Sequence, residues 1–397
     1  MMLAPKVLRG SMAAGLIVLM SACGSGGSGG GDEAASAAPT PDASGKCEIV
    51  VNDDGSLEPL SDGFPNDDFT IVSADEPGSP DGLYALQLKT AIEDEGLTGQ
   101  RVTVVDRPDL GQSSGAWEAL TFITEQKGGD QGYVMAIGTA PGSTTDLLQT
   151  NVMSDKGYKV ESMNVVLATE FIPYVLVSRK DAPWGKDVNA FIKYAQEHPN
   201  ELKYISRGPG AGLDLAFNNY AQVAAKRDGL PAGQNGIPVE VVIGGSHQEI
   251  NAVVGSGEGD VANTVMDAAT QFYADGRIEV LMVGGNGEPP DEFPGVPTAR
   301  QLFGDEALAN DPWGVNRFLF VPESVPECHR QWLTTMFEQA IENPEYLASR
   351  SNIPGFTPLA MSREDTWELA NVAYGTACEI LKPMDLVDES VTAAGKC

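Results

Sequence analysis

Short β-rich runs alternate with helical stretches along most of this chain, and such alternation points to parallel α/β sheets. Strands are expected at Phe69–Ser73, Arg101–Val105, Tyr133–Ile137, Met163–Thr169, Tyr174–Ser178, Leu202–Ile205, Val239–Ile243, Asp260–Val265, Glu279–Val283 and Asn316–Val321. Helices are expected at Lys186–His198 and Leu213–Lys226, and near 325–342, 344–351 and 362–382. The alternating body covers roughly 330 residues, more than one typical domain, so two lobes are expected.

The start of the chain carries a different signal. Lys6 and Arg9 precede the apolar stretch Met12–Met20, which ends in Met20-Ser21-Ala22-Cys23. A basic start, a short apolar core and small residues before a cut describe a secretory signal, residues 1–22. The core falls short of the about 20 apolar residues that a spanning helix needs. The cysteine after those small residues resembles the lipobox of bacterial lipoproteins, which implies lipidation at Cys23 and anchoring outside the cytoplasm. The alternative is an ordinary signal peptide with a chance cysteine. Residues 23–65 are Gly/Ser/Ala-rich, then acidic and proline-punctuated, with one apolar patch at Ile49–Val51. They are expected to form a flexible linker, since such a composition buries too little to offset its ordering entropy.

In an exported chain the four remaining cysteines, Cys47, Cys328, Cys378 and Cys397, permit two disulfides. Cys328 with Cys378, both in expected C-terminal helices, and Cys47 with Cys397, joining the two tails, are the expected pairs. With three histidines and no C-x-x-C spacing, no metal and no cofactor is expected. A net charge of −31 speaks against nucleic acid or an anionic membrane surface as partner. An anion bound by so acidic a chain must be held by local dipoles. No His-Glu-x-x-His pair or Walker loop is present, so the sequence does not point to an enzyme.

In open α/β sheets ligands sit beyond the carboxyl ends of strands, against the N-termini of the helices that follow. Several small-residue corners occupy such positions. Asp75, Pro77, Gly78, Ser79 and Asp81 form the first, and Gly138 with Thr139 the second. Ser206, Gly208, Gly210, Gly212 and Asp214 form the third; Gly244, Gly245 and Ser246 the fourth; Asn263 and Thr264 the fifth. One alone is a turn; several in one chain, each after a strand, predict a binding cleft.

The order of these corners resembles the receptors of tripartite tricarboxylate transporters, the TctC-like or Bug-type solute-binding proteins. Asp106-Arg107-Pro108-Asp109-Leu110-Gly111 with Gly115-Ala116 is similar to that family's Asn-Arg-Pro-Gly-Ala-Gly-Gly-x-x-Gly-Ala, and Leu202 to Leu215 to its Leu-x-Tyr-x-Ser-x-Gly-x-Gly segment. Gly257-Glu258-Gly259-Asp260-Val261 fits its Gly-x-Val-Asp step, and Phe293-Pro294-Gly295-Val296-Pro297-Thr298 its x-x-Pro-x-Val-Pro-Thr signature. The resemblance implies a two-lobed, periplasmic-binding-protein-like α/β fold of type II. Each lobe would be a mostly parallel sheet flanked by helices, with lobe 1 at 66–167 plus 300–397, lobe 2 at 168–299 and the ligand cleft between. It implies a small carboxylate ligand, and large and small integral-membrane transporter subunits as partners. A receptor of an ABC or TRAP-type system for a polar or zwitterionic solute is the alternative.

This chain departs from the family at three points. Pro77 replaces a glycine, Asp214 stands where a histidine is frequent, and Thr264 where a second aspartate is common. Asp75 and Glu76 add two acids beside Asp81; they either face the ligand, favouring a zwitterion or amide, or are solvated. Arg207 either reaches a ligand carboxylate or pairs with a surface acid, and the surface pair is expected. Tyr84 and Trp117 are expected in the core, with stacking on an aromatic acid the minor reading, and His247 at the surface or a hinge.

Overall fold

The computed structural model describes residues 38–110, 115–149, 156–208, 211–231, 235–284, 291, 293–304 and 314–397. Cys23, Gly210 and the signal-like start therefore lie outside the described residues.

Among the described residues ten strands form one continuous system. β1 (Phe69–Ser73), β2 (Val102–Asp106) and β3 (Val134–Ala140) run parallel in the order β2-β1-β3. β4 (Met163–Arg179) is a single strand of 17 residues. β5 (Lys203–Ser206), β6 (Glu240–Ile243) and β7 (Val261–Val265) run parallel as β7-β5-β6. β8 (Ile278–Val283), β9 (Gly314–Pro322) and β10 (Thr357–Met361) complete the set. β9 lies antiparallel between β3 and the first part of β4, while the end of β4, Tyr174–Arg179, lies antiparallel between β7 and β8. One strand thus serves both sheets and joins the two lobes. Each sheet has three parallel strands on its outer side and antiparallel strands at the junction.

The sequence expectation has two strands here, Met163–Thr169 and Tyr174–Ser178, and Pro173 between them has no N–H for a ladder. The chain runs straight through because Pro173 sits where β4 leaves the first sheet, opposite Gly314 at the start of β9. Register shifts between Val165 and Leu167 and between Ala168 and Glu170 absorb the bend.

The first sheet is covered on both faces. Helices Pro80–Asp94 and Glu327–Glu342 bury Tyr84, Leu88, Trp332 and Phe337 on one side; Gly115–Glu125 and Arg363–Leu381 bury Trp117, Leu120 and Ala370 on the other. Tyr84 and Trp117 are fully enclosed core residues, so neither is available to stack on a ligand.

Two expectations are corrected. The segment before residue 66 is docked rather than free from Cys47 onward. Leu57, Leu60 and Phe64 are buried in the first lobe's core, and the Trp332 indole N–H donates to the Glu58 carbonyl at 2.9 Å. Those few apolar side chains, diluted among acids and glycines, supply the burial that average composition conceals. The disulfides are Cys47–Cys328 and Cys378–Cys397, with Cα separations of 5.4 and 5.7 Å. Cys328 lies in the first turn of the helix Glu327–Glu342, over which the N-terminal segment runs, while Cys397 returns to the helix Arg363–Leu381 that carries Cys378.

Candidate functional site

A cavity of about 110 Å³ lies between the lobes, and its walls are built largely from helix starts. From the first lobe come Asp81 in the opening turn of Pro80–Asp94, Gly115 and Ala116 opening Gly115–Glu125, and Gly142 and Ser143 opening Gly142–Gln149. From the second come Gly212 and Leu213 opening Gly212–Arg227, His247 opening His247–Ser256, and Val265, which caps Met266–Ala274. Each helix start carries unpaired backbone N–H groups and the positive end of a dipole. Six of them around one small space make an anion site without a dominant positive side chain.

Close approach of the lobes depends on glycine. A Cβ on Gly212 would lie 2.7 Å from the Tyr174 hydroxyl and 3.0 Å from the Gly142 nitrogen. The two helix starts facing each other across the junction therefore touch backbone to backbone.

Charged side chains complete the wall. Arg317, on β9, is 1% exposed; Nε meets Asp81 Oδ1 at 2.6 Å, and Nη1 meets Glu170 Oε1 at 2.7 Å and Asp267 Oδ2 at 3.2 Å. Burial disfavours its charge, but Asp267, Asp81 and Glu170 outweigh that and hold its pKa above the usual arginine value. Arg350 meets Glu170 from the other side at 2.6 Å. Arg207 has a looser partner: Nη1 lies 3.5 Å from Asp75 Oδ2, with the two side chains 10% and 8% exposed. Burial pushes the Asp146 carboxyl well up against the pull of Arg207. Burial, then the Arg207 and Arg317 charges, holds His247 well below its ordinary pKa and therefore neutral near pH 7.

The predicted residues divide into two groups. Asp75, Asp81, Gly138, Thr139 and Gly212 line the cavity. The other described ones do not line it, and several support it from behind. Ser79 caps Pro80–Asp94 by accepting from the Gly82 N–H at 3.1 Å, next to the turn at Pro77 and Gly78. Ser246 caps His247–Ser256 in a box with Glu249, while Gly244 donates its N–H to the Ser206 carbonyl and Gly245 packs against the Glu249 carboxylate. Asn263 donates to the Leu213 carbonyl, and Thr264 lies 3.3 Å from His247 Nδ1. Asp214 accepts from Tyr204 at 2.7 Å and Ser206 at 2.6 Å, and Ser206 in turn accepts from the Gly208 N–H at 2.8 Å. Asp214 thus braces the third corner, and burial raises its pKa to about 6.

Arg207 and His247 overturn the surface expectations. Both follow short strands whose residues gave no orientation, and the fold turns them onto the cavity wall. Arg317, Tyr174 and Asp146 were not singled out: each lies in or near an apolar run, and partners far along the chain bring them to the site. The one visible signal was Arg317 itself, a charge inside the strand Gly-Val-Asn-Arg-Phe-Leu-Phe-Val-Pro. Among the described residues no cluster of His, Cys, Asp or Glu could hold a metal ion, and no helix is long and apolar enough to cross a membrane.

Residues 94–386 match the family described as the tripartite tricarboxylate transporter family receptor. No curated protein matches the chain by sequence. Its fold is similar to that of the periplasmic binding protein BugD, 16% identical, with a TM-score of 0.65 over 82% of this chain and 99% of that one. MatC from Rhodopseudomonas palustris with bound malate is 18% identical, with a TM-score of 0.64 over 82% of this chain and all of the other. A second R. palustris protein, with adipate, is 17% identical, with a TM-score of 0.65 over 82% and 99%. At these identities the likeness is one of fold.

Proposed function

Because this chain belongs to the tripartite tricarboxylate transporter receptor family, we propose that it captures a small carboxylate outside the cytoplasm and delivers it to the integral-membrane subunits of such a transporter. One observation carries the carboxylate: six helix starts converge on a cavity that also holds Arg207. Similar folds that hold malate and adipate support the same ligand class. The signal-like start and Cys23 support export and a lipid anchor, with the residues before Cys47 as the tether. Lobe 1 is 66–167 plus 300–397 and lobe 2 is 168–299 in this reading, β4 and β9 forming the hinge that lets the cleft close on its ligand.

The test is a thermal-shift screen of the purified protein against mono-, di- and tricarboxylates, amino acids and neutral solutes. At 100 times its dissociation constant a ligand adds about 2.7 kcal/mol, a shift of a few degrees. Stabilisation by compounds bearing a carboxylate, and not by their amide or alcohol counterparts, is the expected result. Hits confined to solutes without a carboxylate would overturn it.

A further inference from the structure

One imidazole stands on the cavity wall, and the groups behind it decide which of its nitrogens carries the hydrogen. His247 opens the helix His247–Ser256, lines the cavity, and has its Nδ1 3.3 Å from Thr264 Oγ1 on β7. Behind Thr264 lies Asn251, fully buried like Thr264 itself. Asn251 Nδ2 donates to the Ala268 carbonyl at 3.2 Å and to Thr264 Oγ1 at 3.3 Å.

A carbonyl only accepts, so Ala268 fixes the orientation of the Asn251 amide; turning it over would set two oxygens against each other. Asn251 Oδ1 is left buried with no partner among the described residues, so the amide is placed there for its two N–H groups. Thr264 Oγ1 thus accepts from Asn251, and its own hydrogen needs an acceptor in turn. Among the described residues the only other partner of that hydroxyl is His247 Nδ1. Nδ1 must therefore accept, which puts the imidazole hydrogen on Nε2. Nε2 has no partner among the described residues and is not one of the buried atoms, so it is the free donor of a ring on the cavity wall. Burial, then the charges of Arg207 and Arg317, keeps a second proton off the ring. Helix starts and a guanidinium attract an anion but fix its orientation loosely, whereas one directional N–H fixes the position of a single oxygen.

Resting on the receptor reading above, we propose that His247 is the ligand-orienting donor of the second lobe. Its Nε2–H takes an oxygen of the bound carboxylate compound, and Thr264 and Asn251 are positioning residues that hold the ring in that tautomer.

The first readout is the proton–nitrogen spectrum of the imidazoles in the purified protein near pH 7, with the His247 signals identified by their loss in His247→Phe. A protonated Nε2 and a bare Nδ1 are expected. Thr264→Val should abolish that preference and Thr264→Ser restore it, which a merely structural role for Thr264 would not do. Saturating malate, succinate, citrate or L-glutamate, whichever stabilises the protein most, should move the Nε2–H resonance downfield and leave Nδ1 bare. Calorimetry with the same compound should show affinity lowered about tenfold by His247→Phe and little changed by Thr264→Ser. A hydrogen on Nδ1, a doubly protonated ring, or an Nε2–H signal unmoved by a bound probe would overturn the proposal and leave the receptor reading standing. If neither these four probes nor any other member of the thermal-shift panel binds, both readings fall. Thr264→Val alters the His247 ring alone among the imidazoles, so the assignment survives a His247→Phe protein that does not fold.

Discussion

Arg317 on β9 and Glu170 on β4 are direct partners in the antiparallel ladder and also close an ion pair, Nη1 to Oε1 at 2.7 Å, with both side chains buried. Glu170 is shared with Arg350, and Arg317 reaches on to Asp81 in the first lobe and Asp267 in the second. The network therefore ties β4 and β9 to one helix start in each lobe. Glu170→Gln removes the one acid that both arginines touch and leaves two buried cations underpaired. Losing a partner of this kind costs about 3–5 kcal/mol. Urea denaturation should show that loss in unfolding free energy, and a change below about 1 kcal/mol would refute the network's structural weight.

Much of the fold was legible because short-range chemistry wrote it. Ser79, Ser246 and Ser362 mark helix starts, and each caps the helix that follows. Gly212 opens a helix and lies on the cavity wall; Gly138 lies there too, but inside β3 rather than after it, as Asn263 and Thr264 lie inside β7. What long-range packing decides was not legible. Arg207 was expected to find a surface acid, yet its partner Asp75 comes from the other lobe, 132 positions earlier. The strands expected at Met163–Thr169 and Tyr174–Ser178 are one, because the junction of two sheets carries the chain on through Pro173.

Gly212 sets how closely the lobes meet. Alanine there would drive a methyl to within 3.0 Å of the Gly142 nitrogen, and backbone cannot give way as a side chain can. Overpacking of this sort costs about 1–3 kcal/mol, and here it acts on closure rather than on either lobe's core. Gly212→Ala should therefore raise a ligand's dissociation constant about tenfold or more while barely moving the melting temperature. Gly375→Ala, with open space around its Cβ, serves as the control and should leave binding unchanged.

Asp214 predicts a pH dependence of defined sign. Burial raises its folded pKa from 3.8 to about 6, against the donors Ser206 and Tyr204. Between about pH 4 and 6 the unfolded chain releases this proton and the folded chain keeps it, so Asp214's contribution to stability falls as pH rises. Above about pH 6 the term is flat. Asp214→Asn has no such proton, so the stability difference between wild type and variant should shrink, then reverse or level off, across that window. Urea melts at half-unit pH steps test this; parallel curves from pH 4 to 7 would contradict the raised pKa.

The two disulfides close loops of very different length, with sequence separations of 281 and 19. If loop entropy dominates, breaking Cys378–Cys397 costs about 3 kcal/mol and breaking Cys47–Cys328 more, towards about 5 kcal/mol. Paired serine variants measured by urea denaturation should rank in that order. The long loop's bond has a second, local consequence. Without it the segment around Cys47 keeps few ties, whereas Phe64 still stacks on His329 at 4.0 Å and Asp62 still meets His329 Nε2 at 2.7 Å. Limited proteolysis of the Cys47→Ser, Cys328→Ser protein should therefore cut before about residue 57 and spare Leu60–Phe64. Cleavage reaching Phe64 would mean that the disulfide, rather than apolar burial, holds that segment on the lobe.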